Sequence, residues 1–282
     1  MLDKTKRYLI VGLGLLGGKY ALELSKAGFH VDGINRSEGH LQYALDHGYI
    51  ETGKTHDFED LVSQADHIIF GLYPTALIDW FKTYGHLIKS GCIFTDVSGV
   101  KTGLVEPVQA MCPEGVEFIA SHPMAGREVG GYDNSLDNLF DNASFICTPY
   151  EDTPKNKVDA LLGLAEDMHF ARTVVTTPEH HDEMIAFTSQ IAHVLACSYV
   201  LSPLAPMYSG YSAGSYRDVS RVARINADMW ADLFIDNKKA LVAEIDDLVS
   251  NLMKFKYNIV NDDTEQLKVL MNKANKIKEE IG

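Results

Sequence analysis

His122 and Glu128, six residues apart in Ser121-His122-Pro123-Met124-Ala125-Gly126-Arg127-Glu128, are the pair in this chain best suited to moving a proton. A neutral imidazole takes a hydroxyl proton at physiological pH. Oxidation of an alcohol carbon requires that proton to leave as hydride departs from the same carbon. Pro123 and Gly126 stiffen the turn, and Glu128 is near enough to orient the imidazole, gate a cleft or face solvent. Two polar stretches lie further along. His180-His181-Asp182-Glu183 continues through Thr188-Ser189-Gln190-Ile191-Ala192-His193 and gives a polar face to a helix that otherwise reads as buried. Gly214-Ser215-Tyr216-Arg217-Asp218-Val219-Ser220-Arg221 sets Arg217 and Arg221 four apart on one helix face, with Asp218 placed to orient a guanidinium. Two such arginines suit an organic dianion; taken alone they are equally an exposed ion pair of little worth.

A hydride needs a carrier, and the N-terminus supplies the pattern for one. Gly12-Leu13-Gly14-Leu15-Leu16-Gly17 fits G-x-G-x-x-G directly after a strand-like run and before a helical one. In that setting the glycines permit a tight turn, close approach of a pyrophosphate and close helix–strand packing, while the helix N-terminus adds amides and a positive dipole end. The second strand ends at Asn35-Arg36-Ser37 without a carboxylate for the ribose, and Asp32 falls too early. Arg36 suits either a 2′-phosphate or stacking on adenine, so NAD is expected and NADP stays open. Leu72-Tyr73-Pro74, at the end of the His67–Phe70 strand, is expected to line the nicotinamide side.

These residues are carried by an alternation of strand and helix. Tyr8–Val11, His30–Ile34, His67–Phe70, Cys92–Phe94, Glu117–Ala120, Ser144–Cys147 and Thr173–Val175 read as strands, separated by amphipathic segments. The pattern predicts a parallel sheet covered on both faces. His122 falls just past the fifth of these runs, at the carboxyl edge where ligands of open sheets collect. After Pro178 the pattern turns helical, over Glu179–Leu201, Tyr216–Leu252 and Thr264 to the end. The fold expected is α/β: a Rossmann-type doubly wound sheet over 1–177, then an all-α domain over 178–282. Helices this long imply that two copies pack together, and a homodimer through the helical domain is expected.

Composition narrows the partners. Lys and Arg number 25 against 39 Asp and Glu, a formal net charge of -14 with a pI near 5.1, which disfavours nucleic acid and anionic membrane. The partner expected is a small anionic substrate met by locally placed arginines. Cys92, Cys112, Cys147 and Cys197 lack paired metal-ligand spacing, so no metal is expected. With no leader-like or membrane-spanning run, the chain is expected to be cytoplasmic, and with the sequence ending at Gly282 no appended regulatory domain is expected.

Taken jointly, five segments resemble the prephenate dehydrogenase family of tyrosine biosynthesis, arogenate-using members included. They are Gly12–Gly17, Thr95-Asp96-Val97-Ser98-Gly99-Val100-Lys101, Ser121–Gly126, Thr188–His193 and Tyr216–Arg221. The resemblance implies a Rossmann domain followed by a helical dimerisation domain. It implies oxidative decarboxylation of prephenate with NAD(P)+, His122 taking the ring hydroxyl proton and Arg221 binding a carboxylate with assistance from Arg217. By the same resemblance Glu128 gates the cleft, while His193 and Asp218 order the site. The family's Gly-Ser pair stands here as Ser98-Gly99, so the serine that contacts substrate is displaced or replaced. Beyond His193, Leu195-Ala196 stand where the family commonly has Pro-His. The alternatives are an arogenate dehydrogenase, a nucleotide-binding redox sensor without turnover, and a β-hydroxyacid dehydrogenase, which generally needs a lysine not found beside His193.

Overall fold

The computed structural model describes residues 3–126 and 138–282. Strand β1 (Arg7–Val11) shows why the chain begins as a buried sheet. Tyr8 and Ile10 enter one apolar core while Leu9 and Val11 enter another, so both faces are covered. Around β1 are β2 (His30–Ile34), β3 (Thr52–Lys54), β4 (His67–Phe70), β5 (Ile93–Asp96), β6 (Glu117–Pro123), β7 (Ser144–Pro149) and β8 (Arg172–Val175). The sheet order is β3-β2-β1-β4-β5-β6-β7-β8. Its first six strands are parallel, and the order reverses between β1 and β4, which opens a crevice at their carboxyl ends.

Helices α1 (Leu15–Lys26), α2 (Glu38–Asp46) and α6 (Lys155–Asp167) send Tyr20, Leu24, Leu41 and Leu161 into the first core. Helices α3 (Glu59–Gln64), α4 (Pro74–Tyr84) and α5 (Val105–Gln109) send Leu61, Leu77, Phe81 and Val108 into the second, where Phe81, Phe94 and Phe118 stack at centroid spacings of 5.0 and 4.7 Å.

The strand–helix alternation predicts a parallel sheet, but β6 and β7 run antiparallel, with His122 opposite Ile146. A parallel step needs a long crossover, usually a helix, whereas antiparallel neighbours need none. The same pairing lengthens β6 to Pro123, so His122 lies inside the strand's last turn of the ladder and not after it. Strand β3 escapes the sequence reading because Thr52-Gly53-Lys54 offers no apolar run.

The predicted long helices are interrupted. Glu179–Leu201 resolves into α7 (Pro178–Ile185), a π turn over Ala186–Gln190 and α8 (Ile191–Val200). Tyr216–Leu252 resolves into α9 (Gly214–Ser220), a 3₁₀ turn at Arg221–Ala223, α10 (Ala227–Asp236) and α11 (Lys238–Val260). The last helix, α12 (Thr264–Ile281), starts where the Asp263 carboxylate accepts the Gln266 amide at 3.0 Å.

Packing divides the chain into two compact units. One comprises residues up to Ile185 with Arg224–Asp236; the other comprises Ala186–Ala223 with Asn237–Gly282. Helices α7 and α10 thus pack with the sheet, whereas the change of sequence pattern falls at 177/178. In the helical unit the buried apolar residues, among those described, are Ala186, Ala196 and Leu241. Val249, Met253, Tyr257 and Val260 make an exposed apolar stripe along α11, at the three- and four-residue spacings of one helix face. No helix among the described residues is long and apolar enough to cross a membrane.

Candidate active site

The turn after β1 has the shape that its glycines suggest. Gly12 holds φ at +97°, and a Cβ there would lie 2.7 Å from the Gly71 carbonyl oxygen, so the turn packs flat against the end of β4. A Cβ on Gly17 would collide with the Gly12 carbonyl oxygen, and its absence lets α1 close on β1. Beside Gly14 the space is open, and no side chain caps α1, so the first-turn amides remain available to an anion. Asn35 ties the turn to β2: its Oδ1 accepts the Leu13 amide at 3.0 Å and its Nδ2 donates to the Ser37 carbonyl at 3.2 Å. Arg36 and Ser37 are exposed. Asp32 is buried inside β2 and pairs with Arg7 at 2.6 Å, which removes it from any ribose contact. Leu72 packs towards Gly12, Tyr73 is 58% exposed, and Pro74 starts α4. Gly12–Gly17 therefore fits a dinucleotide pyrophosphate.

At the ends of β5 and β6 a buried polar cluster forms that the sequence reading does not single out. Lys101 and Asp96 are fully buried and paired at 2.6 Å, and Lys101 Nζ also donates to the Ser121 carbonyl at 2.6 Å. Asp96 accepts the Ser121 amide at 3.0 Å and the Ser98 amide at 2.9 Å. The Ser121 hydroxyl donates to the Asp96 carbonyl at 2.8 Å and meets Thr95 Oγ1 at 2.8 Å. Burial pushes the Lys101 ammonium below its usual range, against the pull of Asp96. The cluster welds the two strand ends on either side of Ser121, and so fixes the backbone on which His122 stands.

His122 meets a second imidazole. Its Nδ1 lies 3.0 Å from His181 Nε2, and His181 Nδ1 lies 2.7 Å from Asp182 Oδ1. Asp182 also accepts the backbone amides of Lys101 and Thr102 at 2.9 and 2.8 Å, tying α7 to the loop after β5. Burial raises the Asp182 carboxyl, but the bonds from His181, Thr102 and Lys101 outweigh it and hold the group below its ordinary range. Burial, then the neighbouring His181 and Lys101, hold the His122 imidazole well below its ordinary value, so it is neutral at pH 7. The other edge of the His122 ring faces Gly99: a Cβ built there would stand 3.8 Å from His122 Nε2 and 3.6 Å from Leu233 on α10.

Of the other residues expected at a site, Ser98 is buried beside this cluster, and its hydroxyl has no protein partner among the described residues. A buried, unpaired hydroxyl is costly unless something else bonds it. Glu128 lies outside the described residues. In the helical unit His193 Nδ1 donates to the Val222 carbonyl at 2.9 Å, joining α8 to the turn that carries Arg221. Asp218 stands 3.4 Å from Arg217 Nε in an exposed pair. Sequence reasoning gives Asp96 and Lys101 no role, and names His181 and Asp182 as part of a polar helix face without joining them to His122, because nothing local links His181 to a residue 59 positions away.

Comparison with known proteins gives consistent matches over both halves. Residues 20–175 match the family model described as prephenate dehydrogenase, nucleotide-binding domain, and residues 177–273 match prephenate dehydrogenase, dimerization domain. A prephenate dehydrogenase of Bacillus subtilis is 29% identical over 267 residues, covering 92% of this chain and 71% of the relative. A cyclohexadienyl dehydrogenase of Zymomonas mobilis is 30% identical over 275 residues, covering 93% and 91%. Among solved structures, prephenate dehydrogenase from A. aeolicus in complex with hydroxyphenyl propionate and NAD+ superposes with a TM-score of 0.88 at 26% identity, covering the whole of both chains.

Proposed function

The chain belongs to the prephenate dehydrogenase family, and from that premise we propose that it converts prephenate to 4-hydroxyphenylpyruvate and CO2 in tyrosine biosynthesis, with NAD+ as acceptor. The observation that carries this reading is the neutral imidazole of His122 at the carboxyl edge of a sheet whose β1–α1 turn fits a dinucleotide. Bound at Gly12–Gly17, between Asn35-Arg36-Ser37 and Leu72-Tyr73-Pro74, NAD+ supplies the acceptor for the hydride that leaves C4. His122 takes the C4 hydroxyl proton as the C4–H bond breaks. Loss of the ring carboxylate as CO2 sends its electron pair into the ring, and His122 returns the proton to the phenolic oxygen. Proton and charge balance without a further reactant.

Arg221, assisted by Arg217, holds a carboxylate of the substrate in this reading, with Asp218 and His193 ordering the arginines and Glu128 gating the cleft. The helix-to-turn bond from His193 to the Val222 carbonyl supports its ordering role. Ser98 offers its unpaired hydroxyl to the substrate or cofactor. Residues 1–177 bind the nucleotide, and 178–282 bind substrate and dimerise. Because the helical unit buries so little apolar surface and leaves the α11 stripe bare, a second copy of the chain is the partner that completes it. The composition and the biosynthetic relatives support a cytoplasmic location.

The test follows the near-ultraviolet absorbance of the reduced nicotinamide with prephenate and arogenate, each crossed with NAD+ and NADP+. Turnover is expected with prephenate and NAD+. Faster turnover of arogenate reassigns the substrate, and intact cofactor binding with no turnover in any combination leaves a nucleotide-binding sensor.

A further inference from the structure

We propose that His181 and Asp182 are positioning residues that hold His122 as its Nδ1–H tautomer, leaving Nε2 as the lone pair that takes the substrate proton; this rests on the dehydrogenase reading above. The argument runs along the hydrogen bonds. Asp182 is a carboxylate that already accepts two backbone amides, so His181 Nδ1, at 2.7 Å from it, carries a proton. A neutral His181 then has only a lone pair at Nε2. His122 Nδ1, 3.0 Å from that atom, is the donor. A neutral His122 has one proton to place, and with Nδ1 occupied the acceptor is Nε2. That is also the edge beside Gly99, where the missing side chain leaves room.

The surroundings favour a single arrangement. His181 is 1% and Asp182 2% exposed, so water does not replace either partner. The charged groups facing the pair are Asp182 on its own helix, Lys101 and Asp96 at the end of β5, and Asp236 on α10 near Asp182. Lys101 is neutralised by Asp96, which leaves Asp182 as the anion in line with the two imidazoles. When His122 gains its proton, the charge is met through His181 Nε2 and then by Asp182. The opposite tautomer would set two lone pairs against each other at 3.0 Å and abolish the base at Nε2.

The experiment compares wild type with His181→Leu, which removes the acceptor, and His181→Gln, whose amide oxygen can occupy the place of Nε2. Full-length protein labelled with 15N-histidine is read by NMR for the tautomer of His122, assigned with His122→Asn, alongside steady-state kinetics and NAD+ binding. Expected are an Nδ1–H His122 in wild type, loss of that signature in His181→Leu with kcat down about 100-fold, unchanged NAD+ affinity, and recovery of most activity in His181→Gln. An Nε2–H His122 in wild type overturns the proposal. So does a His181→Leu enzyme within about two-fold of wild type, or equal losses in both variants with the tautomer unchanged. If wild type turns over no prephenate, the functional reading fails, while the tautomer measurement still decides this one.

Discussion

The two compact units handle burial in opposite ways. In the sheet unit, charged groups are taken out of water and answered there: Lys101 by Asp96 and the Ser121 carbonyl, Asp182 by two amides and an imidazole. In the helical unit a buried polar contact joins two amides, Asn237 Nδ2 donating to Gln190 Oε1 at 2.7 Å, and large apolar side chains face outward. The first unit uses buried charge to fix the backbone and ring of His122. The second buries few apolar side chains among its described residues and leaves an apolar stripe along α11 exposed, in the half that matches a dimerization-domain model. Precision in a site thus comes from buried charge with complete partners, and association from apolar surface without them.

Breaking the buried pair tests the first half of that contrast most severely. Asp96→Ala leaves the Lys101 ammonium without its counter-ion, and is expected to destabilise the sheet unit by about 3–5 kcal/mol in chemical denaturation. A loss under about 1 kcal/mol would mean that water reaches the pair. Next in size, His122→Asn should lower kcat by about 100-fold or more, near 3 kcal/mol, while the dissociation constant for NAD+ stays as it was. An unchanged kcat where chemistry limits the rate removes His122 from the mechanism.

On the helical side, Met253→Glu combined with Tyr257→Glu places two charges on the α11 stripe. Sedimentation should show the dimer constant weakened by about 100-fold or more, of order 3 kcal/mol, and a dimer of wild-type strength would move the interface elsewhere. A further test concerns pH. His67, stacked on Tyr8 at 4.6 Å between ring centroids, is pushed by burial from 6.5 to about 4. Between those values the unfolded chain binds a proton that the native one refuses, so stability falls as pH drops through the window, by up to about 1.4 kcal/mol per pH unit. His67→Gln should flatten that slope; an unaltered slope assigns it to other groups.

What the sequence disclosed was what short range decides. The glycine turn, the strand before it and the helix after it lie within one stretch of chain, and their periodicity and turn chemistry state the structure. The antiparallel step at β7 did not show, because strand direction depends on the connection and not on the strand's own residues. Asp96 and Lys101 looked like a loop's ordinary charges; their meaning comes from Ser121, brought alongside by the pairing of β5 with β6. The π turn at Ala186–Gln190 was read straight through, since an extra residue per turn hardly disturbs an apolar pattern. For His122 and His181 the types were visible and the meeting was not.

The gap at Gly99 has an evolutionary consequence. A Cβ there would touch Leu233 at 3.6 Å and the His122 ring at 3.8 Å, ordinary contact distances, so the backbone already tolerates a small side chain at that spot. Glycine and serine are neighbours in the genetic code, and such a change would set a hydroxyl against the Nε2 edge of His122 without rebuilding the loop. This position is therefore a place where a polar group beside His122 can be gained or lost with the scaffold intact.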